Sequence, residues 1–209
     1  PGVLELGAGT AVLGQRLQNS GVRYVACDLS VSMCKEAARK GCTPFCADAR
    51  FLPIKKTFDL ILFLYDGINY FMGLHDYDTF FRAVHACLNP NGLLLFDVTT
   101  IANSLQHFRN FLDSEDFGHY AYFRSSVYNP VDRTQHNDFL IFTRVSEQPR
   151  LYERSDEHHV QRVFSIPEIS AVIPADLFEI LGRWEGFSFK KYSSRSERVH
   201  FLLRKKERG

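Results

Sequence analysis

One short stretch governs what this chain can fold into: Val3-Leu4-Glu5-Leu6-Gly7-Ala8-Gly9-Thr10-Ala11. An apolar run with a single acid ends in two glycines, and a helical pattern starts at once. Strand, glycine turn and helix start in that order are the layout of a nucleotide site in an α/β sheet. Glycine in such a turn admits positive φ and lets a ligand approach the backbone with no Cβ between them. The helix start beyond it offers N–H groups that have no partner within the helix. A dinucleotide turn would place a third glycine at position 12, but Val12 stands there and the next glycine is Gly14. Glu5 would also repel a pyrophosphate, and it suits a ligand with a cationic amino group instead.

More acids follow at the ends of later apolar runs. A β-like run over residues 22–27 ends at Asp28, 19 residues after Gly9. An acid there can accept both ribose hydroxyls of an adenosine. Capping the next helix is the simpler role, but Ser30 already supplies that cap. Residues 31–40 read as a helix closed by Gly41, as residues 11–20 read as one closed by Gly21 with Val12, Leu13 and Leu17 on one face. A third strand over 42–46 leads to Ala47-Asp48-Ala49. Asp48 is either an ordinary loop acid or an acceptor for an adenine amino group.

Residues 58–64 (Phe-Asp-Leu-Ile-Leu-Phe-Leu) form a nearly continuous apolar strand, as expected where both sheet faces are covered. The loop Tyr65-Asp66-Gly67-Ile68-Asn69-Tyr70 then sits at a strand's carboxyl end, where open α/β sheets bind ligands. Asp76 is read as the cap of a helix reaching Leu88, with Tyr77, Phe80, Phe81, Val84 and Leu88 in the core. Asn89-Pro90-Asn91-Gly92 reads as a turn before a strand over 93–98, which leaves Asp97 near the cleft or behind it. Residues 101–112 read as a helix. Alternation over 120–123, 138–145 and 151–163 predicts three antiparallel strands. Ser165-Ile166-Pro167-Glu168 opens a helix with proline at a tolerated early position, and strands over 178–184 and 199–203 close the sheet as an antiparallel pair. The basic end, Arg204-Lys205-Lys206-Glu207-Arg208, reads as a solvated tail.

Glu5-Leu6-Gly7-Ala8-Gly9-Thr10-Ala11 closely resembles the first motif of the class I S-adenosylmethionine (SAM) methyltransferases, with Ala11 where that motif usually has a third glycine. Residues 58–97 resemble the fourth strand, following helix and fifth strand of the same proteins. The Asp66-Gly67-Ile68-Asn69-Tyr70 stretch is most similar to a small-molecule branch that includes amino-sugar N-methyltransferases and relatives of glycine N-methyltransferase. The resemblance implies a Rossmann-like seven-stranded α/β sheet with a small antiparallel sheet inserted after the fifth strand. It divides the chain into a SAM-binding core over 1–112, an insert over 113–164 serving as substrate cover or dimer contact, and a closing part over 165–209. It implies SAM bound by Glu5, Gly7, Ala8, Gly9, Asp28, Leu29, Asp48, Ala49 and Tyr65. It also leads us to expect a helical segment before Pro1 that closes over the substrate.

The expected activity is transfer of a methyl group to a nitrogen or oxygen of a small molecule. Asp66 and Tyr65 are the first catalytic candidates, Asp66 either taking the acceptor's proton or pairing with a Lys or Arg. Asn69, Tyr70 and Asp97 are expected to line the acceptor site, with core packing the plainer role for Tyr70. Alternation puts Glu157 and His159 on one face of the last inserted strand, making His159 a base if that face roofs the cleft and a surface histidine if not. A nicotinamide-dependent oxidoreductase and an inactive methyltransferase-like scaffold are the competing readings.

The 209 residues fit one domain, and the 19 Phe point to an aromatic-rich core or pocket. A net charge of +1 provides no field to gather nucleic acid. No apolar run approaches the roughly 20 residues of a membrane span. Five cysteines without ligand spacing read as reduced core thiols of a cytoplasmic protein, with no metal site. The expected partner is a small-molecule acceptor, with neither nucleic acid nor membrane and with a homodimer through the insert as a candidate assembly.

Overall fold

The computed structural model describes residues 2–55 and 57–207. Its larger sheet has seven strands in the order β10-β11-β5-β4-β1-β2-β3. The first five strands are β1 (Gly2–Leu6), β2 (Arg23–Asp28), β3 (Pro44–Cys46), β4 (Phe58–Phe63) and β5 (Leu88–Thr99). All of these pair in parallel. β10 (Phe178–Glu185) and β11 (Arg198–Lys205) close the sheet antiparallel, with β11 against β5. Strand order reverses between β1 and β4, and the crevice above such a switch point is where open α/β sheets bind ligands.

Helices α1 (Val12–Asn19), α2 (Val31–Arg39) and α3 (Leu74–Cys87) connect the parallel strands. Ser30 caps α2 by accepting the Met33 N–H. Gly21 and Gly41, each at positive φ, follow α1 and α2. The core is largely aromatic: Phe63, Phe71, Phe80, Phe81, Phe96 and Phe201 pack in series, the last two stacked at 4.8 Å. Tyr77, Phe80, Phe81, Val84 and Leu88 are all in it, as their spacing predicts.

After β5 come α4 (Ile101–His107) and a separate antiparallel sheet, β6-β7-β8-β9. Its strands are Phe111–Asp116, Tyr120–Asn129, Thr134–Glu147 and Arg150–Arg162. The insert therefore has four strands, not three. The helix expected over 101–112 ends at His107, and β6 pairs along β7 from Phe111↔Ser126 to Asp116↔Ala121. Ser126, Tyr128, Gln135, Asn137 and Gln161 are buried on the inner face. α5 (Ile166–Val172) follows, with Ser165 and Glu168 in a reciprocal capping box.

Local details depart from expectation for identifiable reasons. Asp76 is not the cap of α3. Gly73 is, and the Asp76 carboxylate accepts the Gly73 N–H from the third position. Asn89 to Gly92 lie within β5 as an irregularity, Asn91 taking φ 59° while the register moves from Phe58↔Leu88 to Leu60↔Leu93. Val12 is 56% exposed, so α1 buries Leu13 and Leu17 without it. Cys46 is exposed, whereas the other four thiols are buried. Lys205 is not a solvated tail residue: its ammonium donates to the His85 and Leu88 carbonyls at the end of α3, where the helix dipole favours a cation. Arg208 lies outside the described residues.

Gly7 and Gly9 have φ of 60° and 53°, and Ala11 follows at 54°. The third position of the motif thus needs left-handed backbone, and Ala11 meets that need with a Cβ. Strain of roughly 1–2 kcal/mol is offset by about 0.5–1 kcal/mol of glycine entropy and by the buried methyl, worth about 0.8 kcal/mol. Ala11→Gly is therefore expected to leave the thermal midpoint nearly unchanged. Ala11→Val adds a branched side chain at a fully buried left-handed position and is expected to cost about 2 kcal/mol or more. Thermal melts of both variants check this.

Candidate active site

Two loops at the switch point rest on one ring. A Cβ on Gly7 would lie 3.0 Å from the Phe63 ring, and one on Gly67 2.3 Å from it. Phe63 ends β4, so the glycine turn after β1 and the loop after β4 both close down on it. At Gly9 a Cβ would meet nothing within 4 Å, leaving that side of the turn open.

The acids at the strand ends take different roles. Asp28 Oδ2 accepts the Gly9 N–H at 2.7 Å, and Oδ1 accepts the Ser30 N–H at 2.8 Å. It therefore fixes the glycine turn against the end of β2, and each oxygen keeps a lone pair for another donor. Leu29 beside it is 70% exposed, and Phe51, in the loop after β3, is 65% exposed. Glu5 does not face the cleft as a free carboxylate. It is buried and accepts the Tyr24 hydroxyl at 2.5 Å. Burial raises its pKa, opposed by the Tyr24 bond. The cause is packing: Tyr24 lies beneath α1, where a Cβ on Gly14 would come within 2.2 Å of its ring.

Asp48 is gripped by Arg50, whose Nε lies 3.0 Å from Oδ1 and whose Nη2 lies 2.6 Å from Oδ2. That hydrogen bonding holds the Asp48 carboxyl below its ordinary range. Arg50 also reaches Asp76 at 2.5 Å, tying the loop after β3 to the start of α3. Ala49 lies in that loop, half-buried beside the core.

Tyr65 and Asp66 are both left-handed, at φ 59° and 52°. Two consecutive non-glycine residues in that region mark a loop held by its surroundings. The hold is visible. Arg198, at the start of β11, pairs with Asp66 Oδ1 at 2.8 Å and with the buried Asp97. Asp97 Oδ1 accepts the Asp66 N–H at 3.3 Å, and Gln161 on β9 donates to Asp66 Oδ2 at 2.9 Å. Asp66 thus takes the pairing role, with both carboxylate oxygens engaged. Asp97, expected at the acceptor, is 1% exposed and lies beneath Arg198. Asn69, also expected at the acceptor, has its polar groups taken up by the backbone. It is fully buried, accepts the Thr99 N–H, and donates to the Thr99 and Arg162 carbonyls, joining β5 to β9. Tyr65 is 71% exposed above the strand ends.

The inserted sheet reaches the same loop. The Tyr70 hydroxyl lies 3.1 Å from His159 Nδ1, and His159 Nε2 lies 3.1 Å from Glu157 Oε2. The face carrying Glu157 and His159 therefore meets the loop after β4. Glu157 favours the Nε2–H tautomer, leaving Nδ1 to accept from Tyr70. Burial lifts the Tyr70 pKa, with Asp66 adding to the rise, so the hydroxyl stays protonated as a donor. Arg50, Arg198 and Gln161 were not found by sequence reasoning. A hollow of about 620 Å³ in the inserted sheet is lined by Leu112, Phe123, Arg124, Phe139, Leu140 and Arg154.

The fold is one shared with solved S-adenosylmethionine-dependent methyltransferases. Residues 3–92 match the family model of the methyltransferase domain. Along nearly its whole length the chain is similar to the putative methyltransferase YqeM of Bacillus subtilis (strain 168). The two are 26% identical over 97% of this chain and 83% of that one. An S-adenosylmethionine-dependent methyltransferase from Clostridium acetobutylicum ATCC 824 superposes with a TM-score of 0.85 at 27% identity, over 99% of this chain and 84% of that one. SAM-bound CalS10, an amino pentose methyltransferase from Micromonospora echinaspora, shares the fold at a TM-score of 0.71 and 16% identity, over 97% and 82% of the two chains.

Proposed function

We propose that this chain is a SAM-dependent methyltransferase acting on a nitrogen or oxygen of a small molecule. The observation that carries the reading is Asp28, which holds the left-handed glycine turn and still offers lone pairs at the end of β2. The residues present fit the cofactor. The open side of Gly9 admits a ligand against the backbone, Leu29 and Phe51 offer faces to a purine, and α1 begins without a side-chain cap. The Asp48 carboxylate stays ionised and can accept from an amino group near the loop that holds Ala49. Glu5 supports the turn from below, through Tyr24.

When bound, SAM supplies an electrophilic methyl group for in-line displacement. The protein's part is to position the acceptor and take its proton; orientation alone is worth roughly 7–11 kcal/mol. Arg198, Gln161 and Asp97 fix the loop that presents Tyr65 and Tyr70. The inserted sheet covers that loop and narrows access for water. A proton leaving the acceptor passes to the Tyr70 oxygen as the Tyr70 proton moves to His159 Nδ1, and Glu157 stabilises the imidazolium that forms.

Radiolabel from methyl-tritiated SAM, followed across a panel of small amines and hydroxy compounds, tests the activity. Label in an acceptor with matching S-adenosylhomocysteine is expected. Reaction of NAD with no label transfer would favour the oxidoreductase reading. Tyr70→Phe is expected to lower kcat by about 10²-fold or more, the range for a lost proton-transfer group, while leaving SAM affinity unchanged. A kcat equal to wild type would remove Tyr70 from the proton path.

A further inference from the structure

The inner face of the inserted sheet carries one cation with no ionic partner among the described residues. Arg124, in β7, is half-buried. Its guanidinium lies 5.1 Å from the Phe108 ring, 5.5 Å from Phe111 and 5.4 Å from Phe139. Its Nε donates to Ser126 Oγ at 2.9 Å, and its Nη2 to Asn137 Oδ1 at 3.0 Å. Both acceptors are neutral. A guanidinium has five N–H donors, so two bonds leave three N–H groups without a described protein acceptor. Arg133, Arg154 and Arg198 each pair with a carboxylate. Asp113 stands opposite Arg124 in register, yet its carboxylate accepts the Tyr122 hydroxyl at 2.8 Å and forms no ion pair with Arg124.

Position gives this cation a use. Phe139 lies between Arg124 and His159, meeting the His159 ring edge-on at 5.6 Å. His159 in turn bonds Tyr70. Arg124 is thus one aromatic ring away from the proton-accepting pair, on the same sheet face. The three rings and two hydrogen bonds fix the planar fork, which suits two-point binding of a planar anion.

We infer that Arg124 anchors the acceptor, and that the acceptor is a small anionic molecule, with a carboxylate the best match to the fork. The anion sits on Arg124, and the nucleophilic nitrogen or oxygen of the same molecule reaches Tyr70 across Phe139. This rests on the methyltransferase reading and adds the substrate class to it.

The test uses methyl-tritiated SAM, the whole chain and a bacterial small-molecule extract. The extract is split at neutral pH into a fraction retained on an anion exchanger and a flow-through. Label is expected in the retained fraction. Arg124→Met is expected to cut that labelling at least tenfold at limiting extract, with recovery as extract is raised, since the loss is in KM. Arg124→Lys, which keeps the charge and loses the fork, should fall between the two. SAM titration on each variant reports folding and cofactor binding separately. Label confined to the flow-through, or equal labelling by a folded Arg124→Met variant, would overturn the inference. No label in either fraction, with SAM bound normally, would overturn the activity and this inference with it.

Discussion

Replacing Arg198 with methionine is expected to lower stability by about 3–5 kcal/mol at neutral pH, the usual cost of leaving a buried partner charged and alone. For a chain of this length that is a drop of roughly 10 °C in thermal midpoint. Arg198 faces two acids, Asp66 and Asp97, and Asp97 has almost no contact with water. Burial already raises the Asp97 pKa, and Arg198 is the chief opposing influence. Without the guanidinium the pKa rises further. A carboxyl whose folded pKa lies above its unfolded value binds its proton more tightly when folded. Its stability contribution then falls as pH climbs from the unfolded pKa through the folded one. The deficit of Arg198→Met should therefore be largest near pH 7 and shrink toward about pH 4, where the unfolded carboxyl itself titrates. Thermal melts across that range measure it. A deficit constant with pH would show that packing, not the ion pair, was lost. Adding Asp97→Asn should restore part of the midpoint at pH 7, since the fully buried charge is then gone and only the partly exposed Asp66 has lost its cation.

Asp28→Ala is expected to weaken SAM binding by about 1.5–3 kcal/mol, the range for hydrogen bonds to a charged acceptor. That corresponds to roughly a 10- to 150-fold rise in Kd. Two losses add. The ribose hydroxyls lose their acceptor, and the Gly9 N–H loses the bond that holds the turn in its left-handed form. Asp28→Asn should fall between wild type and Ala, because the amide oxygen can keep one of the two backbone bonds. Calorimetric titration gives the affinities, and far-ultraviolet circular dichroism confirms that the variants fold. Unchanged affinity in a folded Asp28→Ala would exclude Asp28 from the cofactor site.

The parts of the fold set by local chemistry were legible in the sequence. The glycine turn, the buried parallel strands, the Ser30 and Ser165 caps and the closing antiparallel pair all follow from short patterns. β6 was missed because Phe111-Leu112-Asp113-Ser114-Glu115-Asp116 carries only two apolar residues, and they are adjacent. An edge strand covered on one face leaves little period-two signal. Within the site, pairings set by distant register were hidden. Arg198 lies 101 residues from Asp97 and 132 from Asp66, and only the β11–β5 register brings them together. The same holds for Tyr70 and His159, 89 residues apart. Glu5 and Asn69 show a different limit. Both stand at places where a ligand contact is expected, but Tyr24 and the Thr99 backbone take their polar groups. A second acid at a strand end, or a polar residue in a loop, has no local mark that says which way it turns.

The crevice above β1 and β4 is where SAM is expected to bind. Isothermal calorimetry with SAM, S-adenosylhomocysteine and NAD on the same protein tests it most directly. One-to-one binding of SAM and of S-adenosylhomocysteine is expected, with no heat from NAD. Binding of NAD with no binding of either adenosyl compound would contradict it.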